Sequence, residues 1–185
     1  MPSIPSAIFE NGPKIFCRDL YNDSRGGFEM IIEMEKIRQD FPDIPDLQQV
    51  NAIHGVAKAL RGFHASQIVD NHWKLVTCIR GSVRDAMLDL RFNSPTFGQV
   101  QIVEMDAGEG IMAVIPPGFG HAVQSLSGDS ITIYATNIPY VRNREFSINP
   151  LSEPWISYWD EGAVISQRDI ESPSWEFFMS TGQYS

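Results

Sequence analysis

The sequence predicts an all-β protein, a sandwich or barrel built from short strands. Strand-like runs recur along the chain, at residues 47–53, 57–64, 73–80, 82–91, 99–105, 111–115, 121–126 and 130–136. Turn-forming groups such as Asn93-Ser94-Pro95 and Ser127-Gly128-Asp129 separate these runs. Short strands at this spacing, with such residues between them, are typical of β-sandwiches and barrels.

The N-terminal part of the chain precedes these runs and is less regular. Residues 1–14 carry three prolines and one glycine, so we expect them on the surface or along a sheet edge. After the short apolar run 15–20, turn-forming residues at 22–27 precede a predicted strand over 28–34. Residues 35–41 are predicted to form a brief helix, because prolines follow directly and cannot continue it.

The C-terminal tail changes character from Leu151 onward. It contains three of the four tryptophans, Trp155, Trp159 and Trp175, and shows little alternation. We expect an irregular extension that packs against the barrel, with a short helix near 173–179.

Length and composition indicate one globular domain, residues 1–185, large enough to bury a core. No run of eighteen apolar residues exists, which excludes a membrane-spanning helix, and the N-terminus does not read as a signal peptide. Cys17 and Cys78 form no metal-binding or disulfide pattern, so a reducing cytoplasm is the simplest setting. The net charge of −9 is the wrong sign for a nucleic-acid binder, although a few arginines can still form a local pocket for a small anion.

The stretch Arg61-Gly62-Phe63-His64 is the first candidate for chemistry. If it stays extended, Arg61 and Phe63 point one way and His64 the other. Gly62 offers a place where the strand can bend or bulge and re-aim these side chains. A single histidine in an apolar setting is more often a core residue than a catalyst. A catalytic role for His64 therefore depends on partner residues elsewhere in the chain.

Three further polar residues lie in predicted strands, and the first two allow two interpretations each. Lys74, in an apolar strand, lies either on the solvated face or inside a barrel mouth, where it would bind an anion. His121 follows a rigid Pro-Pro-Gly turn, which is either a simple hairpin or the support for a pocket shared with His64. Tyr134 is by default a core tyrosine with a bonded hydroxyl. Asp89 and Arg91 favour a structural ion pair over chemistry.

Several common kinds of active site are not indicated. The four histidines, His54, His64, His72 and His121, contain no His-x-His pair, so we expect no metal. Neither a Gly-x-Ser-x-Gly nucleophile elbow nor a Gly-x-x-x-x-Gly-Lys phosphate loop occurs, and no cofactor is expected.

A series of motifs in a fixed order resembles a known family. The motifs are Arg61-Gly62-Phe63-His64, Lys74-Leu75-Val76, Gly81-Ser82-Val83, Asp89-Leu90-Arg91, Ser94-Pro95-Thr96-Phe97-Gly98, Ile115-Pro116-Pro117-Gly118-Phe119-Gly120-His121, Tyr134 and Ser166-Gln167-Arg168-Asp169. From about Asp23 to Asp169 the series resembles the dTDP-4-dehydrorhamnose 3,5-epimerases. The resemblance implies a cupin jelly-roll barrel (a double-stranded β-helix) with a few short helices. It also implies a homodimer in which an N-terminal strand of one subunit helps to build the partner's site.

The resemblance also implies a metal-free epimerisation of a nucleotide-linked 4-keto-6-deoxyhexose and roles for individual residues. His64 resembles the general base, Asp169 the carboxylate that orients it, Tyr134 the acid on the opposite face of the sugar, and Lys74 the cation near the keto oxygen. The residues that fall where the family holds its substrate are Arg61, His121, Gln49, Asn51, Tyr140 and Glu145. Arg25 falls where the partner subunit contributes, and Arg168 replaces a family lysine near the nucleotide.

The chemistry of the reaction explains this set of residue types. A ketone at C4 acidifies the C–H bonds at C3 and C5, because the resulting anion delocalises onto oxygen. Inversion then needs a base on one face and an acid on the other. Imidazole with a carboxylate partner suits the first task, and tyrosine can supply the second proton if its pKa falls in the pocket. A lysine would stabilise the enolate electrostatically.

The chain departs from the family pattern around the substrate. Ala65 and Ser66 replace an aromatic residue and a glutamine after His64, and Ala122-Val123 replaces Gly-Phe after His121. Met30 takes the place of a glutamate, and only Asn149-Pro150 remains of a Trp-Asn-Asp-Pro motif. Three alternatives therefore stay open: a 3,5-epimerase of deoxysugar (rhamnose-like) biosynthesis, a C3-only or C5-only enzyme for another nucleotide sugar, and a non-catalytic sugar-nucleotide-binding cupin.

Overall fold

The computed structural model describes residues 9–66, 71–140 and 144–181. Within them the strands are β1 Lys14–Cys17, β2 Leu20–Asp23, β3 Gly26–Glu29, β4 Gln49–Gly55, β5 Ala59–Ser66, β6 Lys74–Arg80, β7 Ser82–Asp89, β8 Val100–Asp106, β9 Ile111–Ile115, β10 Phe119–Ser125, β11 Ser130–Thr136, β12 Glu145–Ser147 and β13 Val164–Ile165. The α-helices are α1 Met34–Asp40, α2 Gln167–Ile170 and α3 Trp175–Thr181. All eight predicted strand runs are confirmed, as are the two predicted short helices, each within two residues.

Two antiparallel sheets face each other and form the barrel. The first has the strand order β1-β9-β6-β11-β4, and the second has the order β12-β5-β10-β7-β8, with β13 added in parallel to β5. Strands β2 and β3 form a separate hairpin. Strands that are neighbours in sequence frequently belong to different sheets, as in a jelly roll, so residues far apart in sequence meet inside the barrel.

The apolar core has three layers. Between the sheets, Val76 and Ile115 of the first sheet pack with Met87 and Val123 of the second. The outer face of the second sheet is covered by the C-terminal tail, whose buried residues include Trp155, Trp159 and Phe178. Helix α1 covers the outer face of the first sheet through Ile37. The tail therefore packs against the barrel as expected from its tryptophans.

The N-terminal part differs from the expectation in two places. The predicted strand 28–34 is wrong beyond Glu29: β3 ends there, opposite Leu20, the first residue of its partner β2. One further bond, from the Met30 amide to the Asp19 carbonyl oxygen, follows before the hairpin pairing stops. Residues 1–8 lie outside the described part of the chain. Phe9 is not on the surface but packs in the barrel core, with its ring 5.2 Å from that of Phe119. No helix in the described ranges is long and apolar enough to cross a membrane.

A cluster of polar side chains around the buried carboxylate of Asp89 lies at the end of β7, as the Asp89-Leu90-Arg91 motif suggested. Asp89 has no exposed surface and accepts hydrogen bonds from Arg91 Nη2 (2.8 Å), Ser94 Oγ (2.7 Å) and Thr96 Oγ1 (2.7 Å). Burial alone would raise the pKa of Asp89, but the bonds from these three side chains outweigh burial and hold the pKa below its usual range.

The Asp89→Asn variant should therefore lose about 2 kcal/mol of unfolding free energy at pH 7. Because the pKa of Asp89 is depressed in the folded state, its stabilisation is present above the unfolded value of about 3.9 and is lost as the pH falls through the folded pKa. Urea titrations at pH 7 and at lower pH should show that the difference in unfolding free energy between wild type and variant decreases in acid. A difference independent of pH would contradict this account of the cluster.

Candidate active site

The segment that carries His64 contains a β-bulge at Gly62. Between β5 and β10, His64 pairs with His121 and Arg61 pairs with Val123, so two residues of β5 oppose the single residue Ala122. Gly62 has φ +119°, and a Cβ there would lie 2.5 Å from the Cα of Ala122 and from the carbonyl oxygen of His121. Only glycine fits at this position.

The bulge decides which way the candidate residues point. His121 and Val123 are two apart on β10 and share one face, so their partners His64 and Arg61 share that face as well. Phe63 turns to the other side and packs in the outer core layer. The possibility that Gly62 re-aims these side chains is confirmed, and the simple extended arrangement, with Arg61 and His64 on opposite faces, does not occur.

Asp169 lies against the imidazole of His64. Its Oδ1 is 2.7 Å from His64 Nε2, across 105 positions of sequence. The carboxylate is placed by helix α2, where the Ser166 hydroxyl caps the helix by accepting a bond from the Asp169 amide. Burial would raise the pKa of Asp169, but the hydrogen bond and charge of His64, followed by the bond from Ser166, hold it below its usual range.

Lys74 occupies the inner face of the first sheet, which answers the question that the sequence left open. The residue is 2% exposed, its Nζ donates to the carbonyl oxygen of His64 at 3.0 Å, and Glu145 Oε1 is 4.0 Å away. Burial lowers the pKa of Lys74, while the charges of Glu145 and Asp85 oppose that shift. A buried ammonium next to His64 is suited to stabilise an anion.

Tyr134 lies on β11, on the same inner face as Lys74, because β11 and β6 place Thr136 opposite Lys74 and Tyr134 opposite Val76. The structure raises the pKa of Tyr134, first through burial and then through the carboxylates of Glu145 and Asp85. The condition that this pKa falls is therefore not met. The phenol stays protonated at all ordinary pH values and so remains able to donate a proton.

The two histidines lie side by side on the inner face of the second sheet. His121 lies directly opposite His64 on the neighbouring strand, and its Nε2 is 2.5 Å from Asp85 Oδ2. Its ring stacks near Tyr134, with 6.1 Å between ring centroids and 19° between planes. His64 and His121 belong to the second sheet and Tyr134 to the first, so the imidazoles and the phenol face each other across the barrel.

The amide residues of β4 form the wall next to Tyr134. Asn51 is directly opposite Tyr134, and Gln49 Nε2 donates to Asn51 Oδ1 at 2.8 Å. Gln49 Oε1 in turn accepts from the backbone amide of Tyr140 at 2.9 Å, which places the exposed Tyr140 at the rim. These three predicted residues therefore lie together, although nothing in their sequence spacing indicated how.

The arginines lie farther out. Arg61 is exposed and points from the same face as His64, with Nη2 3.5 Å from the carbonyl oxygen of His54. Arg168 is exposed and lines a cleft together with Glu145. Arg25 is not brought to the site within one chain: it lies at the β2–β3 turn, where its guanidinium bonds to Asp23.

Asp85 and the contact between Ser66 and His72 carry no sequence motif and were not predicted. Asp85 shares the inward face of β7 with Val83 and Met87, and a carboxylate on an apolar strand face is the signal that could have identified it. Ser66 Oγ lies 2.7 Å from His72 Nδ1 at the position where the family pattern has glutamine. Among the described residues, no three His, Cys, Asp or Glu side chains are grouped to hold a metal ion.

The fold and the inward cluster define a cupin-type barrel with a candidate acid–base site. The family model of dTDP-4-dehydrorhamnose 3,5-epimerase matches residues 11–176. The chain belongs to this family of epimerases, and the family resemblance and the cupin fold inferred from the motifs are confirmed.

Individual relatives agree with that assignment and include two kinds of epimerase. A dTDP-4-dehydro-6-deoxyglucose 3-epimerase from a Streptomyces species is 34% identical over 157 residues, covering 84% of this chain and 80% of the relative. The dTDP-4-dehydrorhamnose 3,5-epimerase of Mycobacterium tuberculosis is 31% identical over 167 residues, covering 88% and 83%. The crystal structure of ChmJ, a 3'-monoepimerase from Streptomyces bikiniensis in complex with dTDP-quinovose, superposes with a TM-score of 0.88 at 32% identity over 95% of this chain and 89% of that one.

The bulge at Gly62 can be tested by Gly62→Ala. The added methyl group meets the backbone of β10 at 2.5 Å, so we expect a loss of about 1–3 kcal/mol in unfolding free energy and a displaced His64. Gly128→Ala is the matched control, because nothing lies within 4 Å of its Cβ position, and its stability should change by less than about 0.5 kcal/mol. Thermal unfolding of both variants compares them, and equal stabilities would contradict the assigned close approach.

Proposed function

We propose that this protein epimerises C3, C5 or both of a nucleotide-linked 4-keto-6-deoxyhexose, with dTDP as the expected nucleotide, in deoxysugar biosynthesis. The observation that carries the proposal is the pair formed by His64 and Asp169, which faces Tyr134 across the barrel with Lys74 beside it. Both a 3,5-epimerase and a 3-epimerase of dTDP-linked sugars are among the relatives.

His64 acts as the base in this proposal. Asp169 engages Nε2, which leaves Nδ1 as the ring nitrogen that takes the proton from the carbon next to the ketone. The electron pair of the broken C–H bond moves onto the carbonyl oxygen and forms an enolate. The Lys74 ammonium stabilises that oxygen, a contribution typically worth about 3 kcal/mol of barrier in a site shielded from water.

Tyr134 returns the proton on the opposite face. Its hydroxyl proton moves to the carbanionic carbon, the enolate collapses to the ketone, and the phenolate regains a proton from solvent while His64 releases its own. No net proton is gained or lost, as an isomerisation requires. The raised pKa of Tyr134 is compatible with this role, because a donor must be protonated when the enolate forms and the enolate carbon is the stronger base.

The remaining polar residues hold the substrate in this proposal. The amides of Gln49 and Asn51, the imidazole of His121, the ring of Tyr140 and the carboxylate of Glu145 surround the inner pocket and suit a sugar with several hydroxyl groups. Arg61 and Arg168 are exposed cations near its mouth and would bind the diphosphate and the nucleotide.

Arg25 supports a homodimer in which the β2–β3 hairpin of one subunit completes the partner's site. The hairpin carries the exposed aromatic side chains of Tyr21 and Phe28, which are 55% and 64% exposed, and its arginine lies away from its own His64 cluster. An exposed apolar pair beside a cation is suited to a protein contact. The proposed setting is the cytoplasm, and neither cysteine forms a disulfide.

A mono-epimerase is the second candidate. Ser66 stands where the family pattern has glutamine and binds His72, which changes the wall beside His64. The similar Streptomyces relative is a 3-epimerase. The position of isotope entry separates the candidates, because each inverted centre must exchange its hydrogen with solvent.

In D₂O, with dTDP-4-keto-6-deoxyglucose as substrate, we expect deuterium to enter at C3, C5 or both, read by NMR and mass spectrometry. His64→Ala should reduce exchange at every position by about 10²–10⁴-fold, because it removes the base. Tyr134→Phe should spare exchange while blocking clean inversion.

His54→Ala is the matched control for this experiment, since His54 is an exposed histidine on β4, and its exchange rates should equal those of the wild type. If no nucleotide-linked 4-keto sugar from a small panel takes up deuterium, the enzyme proposal fails and a non-catalytic binding protein remains. Unchanged products from Tyr134→Phe would remove this residue from the acid role.

The homodimer can be tested by mixing two inactive variants, Arg25→Ala and His64→Ala. If Arg25 acts in the partner's site, a mixed dimer contains one intact site, and an equal mixture should regain roughly a quarter of the wild-type activity after subunit exchange. Sedimentation analysis should show a dimer at the same concentration. A monomer, or a mixture that stays inactive after verified exchange, would contradict the shared site.

A further inference from the structure

Asp85 is a carboxylate without exposed surface in the middle of β7. It shares its face with Val83 and Met87 of the barrel core, where an unpaired charge would be strongly unfavourable. Its Oδ2 lies 2.5 Å from Nε2 of His121, whereas its Oδ1 has no hydrogen-bond partner among the described residues. A carboxylate kept in such a position needs an explanation beyond packing.

The partner of Asp85 connects it to the acid of the proposed reaction. His121 is held by Asp85 through Nε2, and its ring lies nearly parallel to that of Tyr134, with the centroids 6.1 Å apart. An imidazole free to rotate would not keep the phenol in one orientation. The carboxylate therefore fixes the histidine, and the histidine limits where the tyrosine ring can lie.

The charged groups around Asp85 also connect it to the residues of the proposed reaction. The titratable groups that face this part of the pocket are His121 on β10, His64 on β5, Lys74 on β6, Tyr134 on β11, Glu145 on β12 and Asp169 on α2. The pKa values of Lys74 and Tyr134 are shifted most by burial, next by the charge of Glu145, and third by the charge of Asp85. The charge of Asp85 favours the protonated form of both residues.

We propose that Asp85 is a positioning residue for the proton-return step: it holds His121, and through His121 it keeps the Tyr134 hydroxyl aimed at the face of the sugar opposite His64. This inference rests on the proposed function. Asp169 then supports proton removal by orienting the base, His64. Asp85 supports proton return by orienting His121, the residue beside the acid Tyr134.

Asp85→Asn is the test, because it keeps the shape of the side chain and removes its charge. Proton removal by His64 continues, but an enolate that is not protonated by Tyr134 is protonated again from the side of His64. In D₂O we expect the ratio of exchange to inversion to rise about tenfold, since general-acid assistance is lost in part. In Asp85→Asn/Tyr134→Phe, the ratio should equal that of Tyr134→Phe alone, because both changes impair the same step.

Asp89→Asn is the matched control, a second fully buried carboxylate on the same strand whose partners are Arg91, Ser94 and Thr96. It should lose stability and keep the wild-type ratio. If Asp85→Asn does not fold, His121→Gln replaces it, since its amide can still donate to Asp85 but lacks the ring beside Tyr134, and the same rise is expected.

The outcomes separate this inference from the function on which it rests. Normal exchange in the wild type with an unchanged ratio in the variant, or exchange and inversion lost equally, would overturn the role of Asp85 alone. The absence of exchange in the wild type would overturn the proposed function, and this inference with it.

Discussion

The close approach of β5 and β10 at Gly62 is the constraint on which the site depends. A backbone contact that admits no Cβ forces the bulge, and the bulge moves Arg61 to the same face as His64 while Phe63 enters the outer core layer. Phe63 then packs against Trp155 and Trp159 of the C-terminal tail, which anchors the strand from behind. The apolar tail thus packs on one face of β5, and the polar residues Arg61 and His64 lie on the other face.

Buried charge is arranged in pairs throughout the second sheet and its surroundings. Three carboxylates are almost without exposure, Asp85, Asp89 and Asp169, and each has a cationic or imidazole partner at 2.5–2.8 Å. Asp89 satisfies its remaining oxygen positions with hydroxyl groups, as a structural ion pair should. The other two lie next to histidines, where a carboxylate sets the orientation of the ring.

The strands of the barrel could be predicted because their signal is local. Apolar residues and intervening turns mark each of the eight runs, and neighbouring residues suffice to read them. The strand predicted over 28–34 failed because its end depends on the length of its partner β2, and the short β12 and β13 were missed because they exist only by pairing with β5. A strand of two or three residues has no periodicity of its own.

The sequence by itself determined the all-β class, the family resemblance and the identity of the candidate acid, base and cation, because those depend on residue types in a fixed order. The tertiary structure alone decided that Lys74 points inward, that Asp169 reaches His64 across 105 positions, and that the pKa of Tyr134 rises instead of falling. It also placed Asp85 beside His121. These properties follow from burial and from contacts between distant strands, which no local pattern of residues contains.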